Sequence, residues 1–510
     1  MRTEGLPCAL FFGKPATPDC AGDRSGPASP TPAALSTPNF MSIRPLTLTL
    51  AAVLAGAPLM AQTTSTWSVI ETARDNGHKL QAIAAPAAAP SGSAAGIAVD
   101  AAQRCQEIVG FGGALTESVG WVLAQLPLEK RQEILRKYYD PKEGIGYTLA
   151  RTHINSCDFS LSIWTLDETP GDYYLHNFTL APMRAWLLPL LHDVQAIAGR
   201  DQFKLLASPW SPPAWMKTNN RADSGGSLRP EYADAWARFY VRFVEAMRDQ
   251  EKIPIWALTV QNEPEAVQTW ESCIYQPEEE RDFVRDHLGP TLAKAGLTGV
   301  KLIGFDHNRN IFEVRADALF GDKECAKFLW GSAIHWYVSE DFAAESRVHD
   351  KFPDKPILFT EGCWEGGVKL GQWDRGERYA HNMIGDFRNW TCGWMDWNIA
   401  LDEMGGPNHV GNYTDAPIIV DTKTGEIHYQ SSFYYIAHFS KYVHTGAHRL
   451  ASTVSATGLE SVSFVNPDGS LVTVVLNATE QAVKFTLSAG GESVACAIPA
   501  RAIQTYLRSR

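Results

Sequence analysis

The chain has 510 residues, 45% of them hydrophobic, enough to bury one large domain with a smaller one beside it. Its formal charge of −12 argues against nucleic acid as a partner and against attraction to an anionic membrane. In the body of the chain no apolar run reaches the roughly 18 residues that a membrane span needs, so stable membrane insertion is not expected.

Residues 1–40 are rich in Pro, Ala, Gly and Ser without periodicity and read as a non-native extension or a disordered segment. Met41 then opens a recognisable pattern: Arg44, an apolar run over 46–59, and Ala61 before Gln62. That is an export signal over 41–61 with Met41 as the true start, which predicts a periplasmic or secreted protein. Parts of 65–99 alternate with period two, so 65–108 is expected to supply N-terminal strands, with 84–96 as a mobile loop.

Strand-like and helical runs alternate from 109 to about 424. The strands are expected at 108–115, 147–154, 203–208, 254–260, 300–305, 332–337, 356–360 and 391–398. Helical spacing is clearest at 128–139 and 232–250. Eight strands alternating with helices over this length predict an α/β fold, a (β/α)8 TIM barrel over 109–424. Period-two runs return near the C-terminus, as in Leu471-Val472-Thr473-Val474-Val475-Leu476, separated by turns such as Asn466-Pro467-Asp468-Gly469. Residues 425–510 therefore read as a C-terminal β-sandwich, attached to the barrel and built from both chain ends. The cysteines beyond the leader (Cys105, Cys157, Cys273, Cys325, Cys363, Cys392 and Cys496) stand singly, with no metal-ligand spacing, and those in strand-like contexts read as buried thiols. Asn177, Asn389, Asn412 and Asn477 begin glycosylation sequons, which matter only where the source glycosylates.

Two of the expected strands deliver a carboxylate to the rim where barrel enzymes hold their sites. The fourth runs into Gln261-Asn262-Glu263-Pro264 and the seventh into Phe359-Thr360-Glu361-Gly362. A pair of carboxyls roughly 5–5.5 Å apart is what retaining glycoside hydrolysis needs, one to protonate the leaving oxygen and one to attack the sugar carbon. Glu263 is the candidate acid/base, with Asn262 beside it to bond a sugar 2-hydroxyl; the plainer reading is an acid at a helix N-terminus. Glu361 is the candidate nucleophile, with Glu365 as a nearby competitor. Asp158 is placed to hold sugar hydroxyls. Arg151, inside an apolar strand, either forms a structural ion pair or orients Glu361 and keeps it ionised. Trp210, His335, Tyr337 and Trp397 fall on the same rim. Tyr337 is suited to donate to the nucleophile, and the two tryptophans to stack on a sugar face, although each alone is more often packing.

These motifs carry a resemblance. Gly110-Phe111-Gly112-Gly113-Ala114, Ser156-Cys157-Asp158-Phe159-Ser160, Asn262-Glu263-Pro264, His335-Trp336-Tyr337 and Gly405-Gly406-Pro407-Asn408 together resemble the glucosylceramidases of glycoside hydrolase family 30, over about 109 to the C-terminus. The resemblance implies retaining cleavage of a β-glucosidic bond, most simply of glucosylceramide to glucose and ceramide. It implies Glu263 as acid/base and Glu361 as nucleophile. Asp158, Phe159, Trp210, Asn262, Tyr337, Trp397 and Asn408 would bind the sugar, with Arg151 and His335 in support. A glycoside or glycolipid substrate is expected, and no cofactor or metal. The loop 363–368 is several residues shorter than in lysosomal enzymes of that family, and 221–230 also differs, which leaves the group beyond the glucose open. Other β-linked substrates (a β-1,6-glucan, a β-xyloside, a β-fucoside) are the nearest alternative. A non-catalytic carbohydrate-binding protein is the alternative of another class, against which both glutamates count.

Overall fold

The computed structural model describes residues 67–89 and 95–510. The extension at 1–40, the signal at 41–61 and most of the expected loop tip, 90–94, lie outside the described residues. Within 84–96, Ala87–Ala88 forms a short strand on the chain's C-terminal sheet.

Eight parallel strands close into a barrel. They are β1 Gly110–Ala114, β2 Leu149–Ile154, β3 Lys204–Pro209, β4 Ile255–Thr259, β5 Lys301–Asn308, β6 Leu329–His335, β7 Ile357–Glu361 and β8 Thr391–Asn398. Helices between them include Leu128–Tyr139, Leu187–Ala198, Ala233–Asp249 and Asp374–Arg388. β1 is glycine-rich because its neighbours leave no room for side chains. A Cβ on Gly112 would lie 2.1 Å from the Leu149 carbonyl oxygen, and one on Gly113 2.5 Å from Ile399 Cγ2.

The barrel interior is layered, as strand alternation requires. Leu149, Leu206, Ala257, Ile303, Ala333, Leu358 and Met395 form one buried apolar layer. Two residues further along their strands stand Arg151, Ser208, Thr259, His335, Thr360 and Trp397, a mostly polar layer at the C-terminal rim. β5 departs from the pattern. The register with β6 shifts between Ala333 and Ile334, and Phe305 and Asp306 take φ values of 68° and 91°. This irregularity turns Phe305 out to stack on Phe312, 5.8 Å between centroids, and sends Asp306 into the polar layer. A second shift, between Ile334 and His335 against β7, brings Glu361 opposite His335.

Outside the barrel, a ten-stranded sheet draws on strands within 67–107 and 448–508. Trp67–Ala73 pairs antiparallel with Ala502–Arg508, and Gly96–Glu107 with His448–Val454. Its strands fold over an apolar core of their own that includes Trp67, Leu450, Phe485, Leu487 and Tyr506. Within 425–510 the sheet begins only at His448. Before it, Glu426–Tyr429 joins a separate three-stranded sheet, and helix Ser431–Ser440 packs between barrel and sheet. There His438 bonds Thr505 Oγ1 at 2.8 Å and Thr72 Oγ1 at 2.9 Å, and Phe387 meets Phe464 edge-on at 5.5 Å.

Candidate active site

Arg151, fully buried on β2, organises the site. Its Nη2 donates to Asn262 Oδ1 at 2.7 Å and Asp306 Oδ2 at 2.8 Å. Its Nη1 donates to Glu361 Oε2, and its Nε to Ser208 Oγ at 3.2 Å. Its ionic partners are therefore Glu361 and Asp306 rather than Asp158, and the ion pair lies within the site. The Tyr337 hydroxyl donates to Glu361 Oε1 at 2.8 Å. Glu365 stands on the same cavity wall, but the Arg151 and Tyr337 contacts fall on Glu361.

Glu263 sits beyond the end of β4 with φ 46°, a left-handed conformation that is costly for a non-glycine residue and typical of functional turns. Its N–H donates to the Asp306 carbonyl at 2.9 Å, and the Asn262 N–H to the Pro209 carbonyl at 2.8 Å. The turn is thus pinned to β3 and β5 on either side. His335 Nδ1 is 3.2 Å from Glu263 Oε1, and its Nε2 is 3.0 Å from Asp306 Oδ1. Carboxyl oxygens of Glu263 and Glu361 and a ring nitrogen of His335 lie within 4.8 Å of one another. That donor set is compatible with a metal in kind, but Arg151 and His335 already supply the positive charge that brings the carboxyls together.

With acceptors at both nitrogens His335 is an imidazolium. Its pKa rises to about 9, because the charge of Glu361 and the bonds to Asp306 and Glu263 outweigh burial. Asp306 is held well below the carboxylate range: burial opposes this, but Arg151 and His335 prevail. Burial works against the charge on Arg151, but Asp306 and Glu361 outweigh it and keep Arg151 cationic. Burial lowers His307 to about 4, so it is neutral. Arg151 and His335 thus place two positive charges, and Asp306 one negative charge, beside the two glutamates. In the empty site burial raises Glu361 against the pull of His335 and Arg151, with the charge of Glu263 adding to the rise. At Glu263 the His335 bond and nearby positive charge overcome burial and lower it. Arg151 therefore acts in the expected direction on Glu361, and burial exceeds it.

Above the pair opens a cavity of about 440 Å³. Asp158, Phe159, Trp210, Asn262, Tyr337 and Trp397 line it with the two glutamates. Trp210 and Trp397 lie 5.4 Å apart at 31°, and Phe159 meets Trp397 edge-on at 5.8 Å. The Arg151 guanidinium sits 4.9 Å from the Trp210 ring centre. Asp158 is pushed to about 7 by burial, against the amide donors Asn412 at 3.0 Å and Asn408 at 3.3 Å. Asn408 stands behind Asp158, and Asn412 takes the place on the cavity wall that Asn408 was expected to hold. Arg151 and His335 lie beneath the wall, in support. Sequence reasoning passed over Asp306, Asn412, Trp270 and His307. An acid following the apolar run Leu302-Ile303-Gly304-Phe305 was the one available signal for Asp306.

Comparison with known proteins agrees with this architecture. The model of the glycosyl hydrolase family 30 TIM-barrel domain matches residues 108–443, and that of the family's β-sandwich domain matches 446–506. The chain belongs to glycosyl hydrolase family 30. It is 35% identical to mouse lysosomal acid glucosylceramidase over 89% of this chain and 91% of the relative. It is 29% identical to an endo-1,6-β-D-glucanase of Neurospora crassa over 76% of this chain and 82% of that one. Among solved structures, SrfJ of Salmonella typhimurium superposes with TM-score 0.84 at 34% identity, covering 87% of this chain and all of that chain. An endo-β1,6-glucanase superposes at TM-score 0.79 and 30% identity, over 88% of this chain and all of that one. The protein is a family 30 glycosidase.

Proposed function

We propose that the protein is a retaining β-glucosidase of glucosylceramidase type. The observation that carries this reading is the carboxyl pair: oxygens of Glu263 and Glu361 lie within 4.8 Å, close enough for direct attack and too close for the water-sized gap of an inverting enzyme. In the first step a carboxylate oxygen of Glu361 bonds to the anomeric carbon as the glycosidic C–O bond breaks. The proton of Glu263 goes to the leaving oxygen. In the second, water gives a proton to Glu263 as its oxygen displaces Glu361. Tyr337 and Arg151 hold Glu361 in line, and Asn262, anchored by Arg151, faces the cavity beside the acid. Trp210, Trp397 and Phe159 offer the sugar apolar surface, and Asp158 accepts its hydroxyls.

The similarity to lysosomal acid glucosylceramidase favours a glucosylceramide substrate, and the two endo-1,6-glucanase relatives favour β-1,6-glucan as the second reading. Turnover of fluorescent glucosylceramide and of β-1,6-glucan oligomers by the purified chain separates them. In either case Glu361→Gln abolishes turnover. Glu263→Gln slows substrates with poor leaving groups about 10²–10⁴-fold while largely sparing activated aryl glucosides, which need little protonation. Both variants keeping parental kinetics would sink the assignment. The export pattern at 41–61 supports a periplasmic or secreted enzyme. Sequencing the N-terminus of the natural product tests it: a start at Gln62 fits, and a mature protein keeping residues 1–40 does not.

A further inference from the structure

Behind Asp158 lies a buried ion pair that the bond-breaking steps do not use. Glu271, 1% exposed, follows Trp270 on the segment after Glu263, and His409 lies in the loop after β8. His409 Nε2 is 3.3 Å from Glu271 Oε2, and Nδ1 is 3.2 Å from the Ser160 carbonyl oxygen. The His409 backbone N–H donates to the Asp158 carbonyl at 3.3 Å. The other oxygen of Glu271 accepts from Ser156 Oγ. One imidazole therefore ties three loops together: the loop after β2 with Asp158, the loop after β4 with Trp270, and the loop after β8 with Asn412. Each supplies one wall of the cavity. Acceptors face both ring nitrogens, so the bridge is complete only when the ring is protonated. The two side chains are 10% and 1% exposed, so water offers little replacement for a lost partner.

We infer that His409, through Glu271, is a positioning residue for sugar binding, holding Asp158 and Asn412 in fixed relation at the base of the pocket. The inference rests on reading that pocket as the sugar site. Glu271 and Asp158 are the ionisable groups that face His409, and His153 and Lys217 face Glu271 from the other side. Burial lowers the His409 pKa, but Glu271, 3.3 Å away, raises it further, with Ser160 and Asp158 adding. The bridge is accordingly whole at acid pH and opens as pH climbs past the ordinary histidine range. Sugar affinity falls with it, whereas the pH dependence of bond cleavage is set separately by Glu263 and Glu361.

The test is Michaelis kinetics of the full chain on an aryl β-glucoside across pH, for the parent, His409→Phe, His409→Gln, Glu271→Gln and the double variant His409→Phe with Glu271→Gln. The expectation is that KM rises about tenfold in His409→Phe and in Glu271→Gln with kcat within about twofold. His409→Gln, which keeps one N–H donor, should fall between. The double variant should be no worse than His409→Phe alone, and the alkaline rise in KM should vanish in it. A folded variant whose KM stays within about twofold of an active parent overturns the inference, as does a kcat loss as large as the KM gain. Where His409→Phe does not fold, the KM of His409→Gln decides by the same criterion. A parent that turns over no β-glycoside overturns the functional reading, and this inference with it.

Discussion

Asp306 shows how one residue sets the chemistry of others. Fully buried, it accepts from Arg151 at 2.8 Å, from Ser208 at 3.2 Å and from Thr360 at 2.6 Å, with His335 3.0 Å away. A buried anion with that many donors stays ionised, and it holds Arg151 and His335 as cations beside the two glutamates. The consequence for stability has a definite sign. The folded value of His335 is raised from 6.5 to about 9, so its contribution is complete below pH 6.5 and is lost as pH climbs through about 9. For a group this buried the loss is on the order of 3 kcal/mol. Asp306 behaves oppositely: its contribution is present above its ordinary 3.8 and fades only as the solution becomes strongly acid. Melting temperature of the parent should therefore fall between pH 6.5 and 9, and His335→Gln should flatten that slope. Parallel curves for the two proteins would remove His335 from the account.

At the scale of elements, the site depends on strands that break their own period. Regular alternation in β5 would carry Phe305 inward; the positive φ values at Phe305 and Asp306 put the carboxylate there instead. β1 depends on the opposite device, a strand with almost no side chains. Gly112→Ala would place a Cβ 2.1 Å from the Leu149 carbonyl oxygen and must push β1 away from β2, which carries Arg151. Such overpacking costs about 1–3 kcal/mol, so chemical denaturation should show a lowered midpoint, with kcat reduced in the fraction that folds. A variant as stable as the parent would contradict the packing described for β1. These same features mark what the sequence disclosed. Most of the eight strands were legible because an apolar run ends in a turn, and β8 was placed to the residue. Glu263 and Glu361 were legible because carboxylates follow such runs. Asp306 was not, because period-two reasoning ended its strand at Phe305, before the irregularity. Asn412 was not, because which amide of Asn408 and Asn412 reaches the cavity is decided by how the loop after β8 folds back on Asp158, and nothing in local composition separates them.

For the whole molecule, strands from 67–107 and from 448–508 meet in one sheet, which is clamped to the barrel by His438 and Arg501. The barrel keeps its rim free for the loops that build the cavity, and the sheet holds the helices Asp374–Arg388 and Ser431–Ser440 from the side. Among the described residues no helix is long and apolar enough to cross a membrane. The central claim concerns what the rim does to a glycosidic bond, and the product's stereochemistry tests it most directly. The measurement is proton NMR of the glucose first released from an aryl β-glucoside, taken before mutarotation. Two displacements through Glu361 predict the β-anomer. Release of the α-anomer would mean that water attacks the sugar directly, and would contradict the roles of Glu361 as nucleophile and Glu263 as acid/base.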